Sequence, residues 1–328
     1  MNTNNIFGPS TLYILGNGFD IHHNIPCRYN DFKGWLLSDR PEVYAIMTRL
    51  YGSHLDSIEW WQDFENNLID FDVDGYPRRV AKAGYYSYKH ELERVYGHRA
   101  ANDAYDNYEL EFPIESQNHS NQVGFLAGFE MHQLKEMLFS AFEDWVNTLE
   151  LPSKRHCLRR IDKYAQFMTF NYTRTLEEVY EIEESCVEHI HGVVGGRGEF
   201  VIGHGTTVEQ LINRDLDSHL FISDPDKDEG EDSARLKIYD VLEDEMKKPV
   251  YEIIQEKKVF FNSLSGVQKV VIIGMSYSSI DLPYLDRVFE VTGKRVEAVL
   301  GWHSKRDKEN AGKYIQNAQL ANARLYKF

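Results

Sequence analysis

Apolar and polar positions follow two different rhythms along this chain. Residues 11–15, TLYIL, form an apolar strand-like run that breaks into Gly16-Asn17-Gly18, and residues 29–37, YNDFKGWLL, have the spacing of a short amphipathic helix. From residue 38 to about 151 no strand-like run occurs. Aromatic helical patterns take its place: Trp60, Trp61, Phe64 and Leu68, and then Leu134, Met137, Leu138, Ala141, Phe142, Trp145, Val146 and Leu149, spaced as one apolar helix face. Between them, residues 97–123 are rich in Asn, Asp, Tyr and Gln and read as a long loop or lid. After Pro152 the rhythm changes again. Residues 164–171, 186–191, 200–202, 269–273 and 295–300 read as strands, and residues 173–183, 236–264 and 282–291 as helices.

Strands alternating with helices predict an α/β fold, a Rossmann-like, doubly wound and mostly parallel sheet. A large helical insertion interrupts it. The expected division is a nucleotide-binding domain from residues 1–37 and 152–328, with residues 38–151 as the insertion. The stretch 224–232, DPDKDEGED, carries six acids and one lysine and reads as a solvated loop.

Composition narrows the class. With 328 residues, 42% hydrophobic and 13% aromatic, the chain can bury a large core without staples. Cys27, Cys157 and Cys186 lie far apart with no CxxC spacing, so neither a zinc knuckle nor a disulfide framework is indicated, and a reduced cytoplasm is the expected location. The apolar runs are too short to span a bilayer, and the first residues lack a signal-peptide pattern. A net charge of −16 argues against nonspecific nucleic-acid binding.

Candidate chemistry sits where apolar runs stop. YIL ends in Gly16-Asn17-Gly18, FMTF in Asn171-Tyr172-Thr173, and VVII in Gly274-Met275-Ser276. In an open parallel sheet, ligands bind at the carboxyl ends of strands where the winding reverses, so three such ends point to one crevice. Paired glycines let a backbone approach a ligand, and a following helix aims its first amides at negative charge. The third glycine of the full dinucleotide fingerprint is missing. His189-Ile190-His191-Gly192 adds a proton-exchanging group, and strand alternation would place both histidines on one face. With His204 nearby, the same pair is also the pattern of metal ligands or of hydrogen-bonded core residues. No acid or cysteine has the spacing to complete a metal site, and none is assigned.

The ordered motifs ILGNGFD, WWQDFENNL, TFNYT, HIHG, IGHG and IGMSYSSID resemble the AbiH family of bacterial abortive-infection proteins over nearly the whole chain. The set is similar, more distantly, to the sirtuin-like domain of phage-defence NAD hydrolases. That second resemblance implies that Asn171 holds the nicotinamide-side ribose and orients a water, that His191 is the base, and that Gly16, Gly18, Gly274 and Ser276 line the nucleotide; Asn17, Asp20 and Asp281 are further candidate nucleotide-binding residues beside them, outside that pattern. It implies no tightly bound cofactor, with NAD or a related nucleotide as substrate or ligand. The partners expected are that nucleotide, a phage-derived trigger or partner protein, and a second copy of the chain; the short apolar runs argue against a membrane and the acidic balance against nucleic acid.

Two acids stand apart from the sirtuin-like pattern. A desolvated carboxylate facing a pyrophosphate repels it, so Asp20 either meets a ribose hydroxyl, caps a turn or marks a different ligand. Asp281 or Ser279 is placed to cap the helix beginning near Leu282. Tyr172 and Trp302 either stack on a base or fill the core. Three functions follow in order: cleavage of NAD or a related nucleotide at the N-glycosidic bond, non-catalytic nucleotide sensing with protein interaction, and a metal-dependent nuclease built on Asp20.

Overall fold

The computed structural model describes residues 10–72, 75–80, 94, 119–153, 161–207, 209, 210, 213 and 229–328. Most of the expected loop at 97–123, most of the acidic stretch at 224–232, and Cys157 lie outside the described residues. The chain forms two compact units. One contains residues 1–32, 142–202 and 248–328; the other contains residues 33–141 and 203–247.

The first unit holds a six-stranded sheet. Its strands are β1 (Thr11–Leu15), β2 (Gln166–Thr169), β3 (Val187–His189), β4 (Lys269–Ile273), β5 (Glu297–Trp302) and β6 (Ala323–Lys327). They lie in the order β3-β2-β1-β4-β5-β6, and every neighbouring pair is parallel. Central strands of a parallel sheet are covered on both faces, which is why TLYIL and KVVII are nearly unbroken apolar runs. Leu12, Ile14, Met168, Val270, Ile272, Ala298 and Leu300 face one core, filled by Ile253, Phe261, Leu285, Val288 and Phe289 from the helices Val250–Glu256, Lys258–Ser263 and Leu282–Thr292. Leu15, Phe167 and Ile273 face the other, with Phe19, Leu176 and Tyr180.

The second unit is helical among its described residues and packs aromatic rings. Trp61 stacks on Phe64 with ring centres 5.4 Å apart, and Trp60 meets Tyr51 edge-on at 5.3 Å. Its buried charge is paired: Glu130 accepts from Arg49 Nε and from the Tyr76 hydroxyl, each at 2.7 Å. The long helix His119–Asn147 carries the apolar face expected from residue 134 onward, and its first turns take up the end of the stretch read as a loop.

Three expected elements differ. Residues 200–202 form no strand; Val201 makes one backbone bond to the His191 carbonyl and one to the Tyr172 hydroxyl, and a ladder needs more. The single helix expected at 236–264 is three, Glu229–Glu245, Val250–Glu256 and Lys258–Ser263, because Pro249 lacks the amide that would continue the first. Residues 229–232, read as loop, open the first of these.

At the carboxyl edge, the turn after β1 meets the turn after β4 backbone to backbone. Gly16 and Gly18 donate to the Ile273 and Gly274 carbonyls at 2.9 and 2.8 Å. Gly274 has φ +69°, and a Cβ there would stand 2.3 Å from the Phe19 amide nitrogen. Gly274→Ala is therefore expected to lose at least about 2 kcal/mol in urea unfolding. Gly312→Ala, inside the helix Lys305–Asn317 with nothing within 4 Å, is expected to gain about 0.5–1 kcal/mol.

Candidate functional site

Adjacency in the sheet brings the expected clusters together. Leu15 pairs with Thr169 on one side and Ile273 on the other, and Thr169 pairs with His189. The ends of β3, β2, β1 and β4 thus stand in a row, and the winding reverses between β1 and β4, where such sheets bind ligands.

The glycine turn is built differently from a phosphate cradle. The amides of Gly16, Gly18 and Phe19 already donate to backbone carbonyls, and the helix that follows, Asn17–His22, has only six residues. Asn17 is clamped to Cys27: its Nδ2 donates to the Cys27 carbonyl at 2.9 Å and its Oδ1 accepts from the thiol at 2.8 Å. Ser276 is exposed, and its carbonyl accepts from Asn310 Nδ2 at 3.2 Å.

Asp20 turns inward. It is 1% exposed, and its Oδ2 accepts from the Thr173 hydroxyl at 2.6 Å, which also meets the Thr175 hydroxyl at 2.8 Å. This bond joins the turn after β1 to the turn after β2. Burial pushes the carboxyl up to about 6, against the pull of Thr173, Thr175 and Asn171. Asp20 Oδ1 has no hydrogen-bond partner, and neither has Asn171 Oδ1; both are sealed from solvent.

The two histidines do not share one set of neighbours, because β3 ends at His189 and alternation stops there. His189 faces the Asn171 carbonyl through Nδ1 at 3.3 Å and Glu177 Oε1 through Nε2 at 2.7 Å. His191 is 3% exposed and lies among the rings of Phe170, Tyr284 and Tyr172, with centres 5.2, 5.7 and 6.4 Å away. Its Nε2 has no hydrogen-bond partner and lies 3.8 Å from Asp281 Oδ1. Burial and the nearby Lys248 and Lys257 hold its pKa well below the usual histidine range, so the ring is neutral at physiological pH.

Asp281 occupies the N-cap position of the helix Leu282–Thr292 but makes no side-chain capping bond, contrary to expectation. Its Oδ1 faces Lys248 Nζ at 3.4 Å instead. Tyr172 is half-buried against the rings of Phe142 and Phe200, and its hydroxyl donates to the Val201 carbonyl at 2.9 Å. Trp302 lies beneath the ammonium groups of Lys308 and Lys327, at 5.0 and 5.5 Å. Sequence reasoning missed Lys248, Thr175 and Glu177, which carry no motif of their own.

His204 is a satisfied core histidine. It accepts from the Thr206 amide at 3.2 Å, its Nε2 bonds the Leu242 carbonyl at 2.9 Å, and burial lowers its pKa to about 4. Among the described residues, the group with metal-ligating spacing is His132, Glu136 and Glu245 in the second unit. These groups already have partners: Glu136 is ion-paired with Lys135 at 2.6 Å, and Glu245 Oε2 lies 2.7 Å from His132 Nδ1.

A fully parallel sheet that reverses direction beside its first strand, with buried polar groups along its carboxyl edge, defines a doubly wound, Rossmann-like α/β protein. The family model described as "Bacteriophage abortive infection AbiH" matches residues 12–302, and the chain belongs to that family, which places its role in abortive infection. No curated protein and no solved structure matches it. Among the described residues, no helix is long and apolar enough to cross a membrane.

The raised Asp20 pKa has a defined sign. A carboxyl that titrates near 6 when folded and near 3.8 when unfolded destabilises the fold once ionised, by about 3 kcal/mol, and this penalty fades as pH falls from 6 towards 4. Wild-type stability relative to Asp20→Asn should therefore rise by roughly 2 kcal/mol between pH 7 and pH 4, measured by urea unfolding of both proteins.

Proposed function

We propose that this protein is a cytoplasmic abortive-infection effector that cleaves NAD or a related nucleotide at its N-glycosidic bond when triggered. The observation that carries the reading is the placement of a neutral, buried His191 against the turn that bears Asn171, at the sheet edge where the winding reverses. A neutral imidazole has one ring nitrogen free to take a proton. Asn171 Oδ1 and Asp20 Oδ1 are unpaired acceptors, and ribose hydroxyls supply the donors that such atoms lack.

The chemistry asks little more of the site. A water oxygen forms a bond to C1′ of the ribose as the bond from C1′ to the pyridinium nitrogen breaks; that electron pair leaves with neutral nicotinamide. The proton of the water passes to His191. Asn171 holds the ribose and the water, so catalysis is mainly positioning and electrostatics.

Access to these atoms is closed in this conformation. Asn171 Oδ1 and His191 Nε2 are sealed, and Val201 is fastened to both the His191 carbonyl and the Tyr172 hydroxyl. An effector held inactive until a phage component loosens that covering would have this arrangement. The sealing of Asn171 Oδ1 and His191 Nε2 also fits a second reading, in which the unit senses a nucleotide without cleaving it and controls association with a partner protein or a second copy.

Incubating the full-length protein with NAD, with and without extract of infected cells, tests the first reading. Nicotinamide release is expected after triggering and should fall at least about a hundredfold in Asn171→Ala and in His191→Ala. Full turnover in both variants would overturn the assigned roles. Calorimetric binding with unchanged nucleotide recovered would support sensing.

A further inference from the structure

Lys248 is an unusual residue to find where it is. Its side chain is 0% exposed, and its ammonium lies 3.4 Å from Asp281 Oδ1. His191 Nε2 lies 3.8 Å from the same oxygen. One carboxylate oxygen is therefore near both a buried cation and a buried imidazole. The three residues come from separate parts of the first unit: His191 lies two residues past β3, Lys248 just before the helix Val250–Glu256, and Asp281 at the start of the helix Leu282–Thr292.

A purely local role does not account for this. Asp281 is at the N-cap position, yet its side chain makes no capping bond. Burying the Lys248 ammonium beside a largely covered carboxylate takes charge from water, and apolar residues would generally serve stability as well. Among the described residues, the rings of Phe170, Tyr172 and Tyr284 lie against the imidazole. The other cation that acts on it, Lys257, is ion-paired with Glu188. Asp281 is thus the acceptor towards which the sealed Nε2 edge of the ring points.

We propose that Asp281 and Lys248 are positioning residues for His191: Asp281 holds the proton of the ring on Nε2, leaving the lone pair on Nδ1, and Lys248 anchors the Asp281 carboxylate in place. The assignment rests on the reading of His191 as the base and specifies which of its nitrogens accepts the proton. A histidine tautomer is fixed by the partner of its other nitrogen, and a carboxylate partner selects the N–H facing it. The 3.8 Å separation tightens to a hydrogen bond as the ring becomes cationic on accepting a proton.

Long-range proton–nitrogen NMR of the full-length protein tells the two neutral histidine tautomers apart. Wild-type His191 should carry its proton on Nε2, and Asp281→Ala should lose that preference. Lys248→Met should bind the His191 proton at least about tenfold more tightly, because a buried positive charge is removed, and the acid limb of nicotinamide release should move upward with it. A wild-type Nδ1–H tautomer, or an unchanged His191 titration in Lys248→Met, overturns the proposal. If Lys248→Met does not fold, Lys248→Arg keeps the charge and should keep the tautomer that Asp281→Ala loses; loss in both overturns it. Nicotinamide release separates this from the cleavage reading. The expected tautomers without release in any condition support the positioning roles and remove the cleavage chemistry, whereas release that needs His191 but is unaffected by Asp281→Ala overturns the positioning roles.

Discussion

The backbone contact between the turn after β1 and the turn after β4 is the constraint on which the rest of the first unit depends. Gly16, Gly18 and Gly274 approach so closely that a Cβ on any of them would fall within 2.8 Å of backbone atoms of the other turn. Two hydrogen bonds close the contact. It fixes β1 beside β4 at the place where the winding reverses, and it sets where the helix Asn17–His22 begins. From that helix Asp20 reaches the Thr173 hydroxyl and ties in the turn after β2. The row of strand ends is thus locked by packing between backbones, and no ligand is needed to hold it.

Buried charge gathers along this edge in two groups. Asp20, Thr173, Thr175, Glu177 and His189 belong to segments whose apolar neighbours, Phe19, Leu176 and Tyr180, fill the core on one face of the sheet. His191, Asp281 and Lys248 belong to segments that pack against the other core, with Phe170, Tyr284 and Val250. Asn171 lies between, at the end of the strand that separates the two cores. Unpaired buried polar atoms carry a substantial energetic penalty, and each part of this edge holds one: Asp20 Oδ1 in the first group, His191 Nε2 in the second and Asn171 Oδ1 between them. Polar residues that serve only stability are normally satisfied, as His204 is in the second unit.

The parallel sheet was legible in the sequence because strands buried on both faces must be apolar throughout, and because Gly16, Asn171 and Gly274 each follow such a run. The helix Lys305–Asn317 and the edge strand Ala323–Lys327 were not anticipated, although Ser304 and Asp307 form a capping box that announces the helix. The strand is half exposed, so its pattern is weak. A helix and a strand near the end of the chain were therefore open to a closer reading, whereas the break at Pro249 changed one helix into two and then a third.

By itself the sequence determined the sheet class, the row of polar strand ends and the candidate pair Asn171 and His191, since these follow from local periodicity and from the rule that ligands meet the carboxyl edge. Only the tertiary structure decided what each polar group faces. The glycines meet each other, Asp20 meets a threonine 153 residues away, and Asp281 leaves its helix cap for Lys248. The physical reason is that a strand's pattern is set by which of its faces is buried, a property of neighbouring residues. The partner of a buried charge is set by which distant segments the sheet order brings together, and no spacing within either segment records that choice.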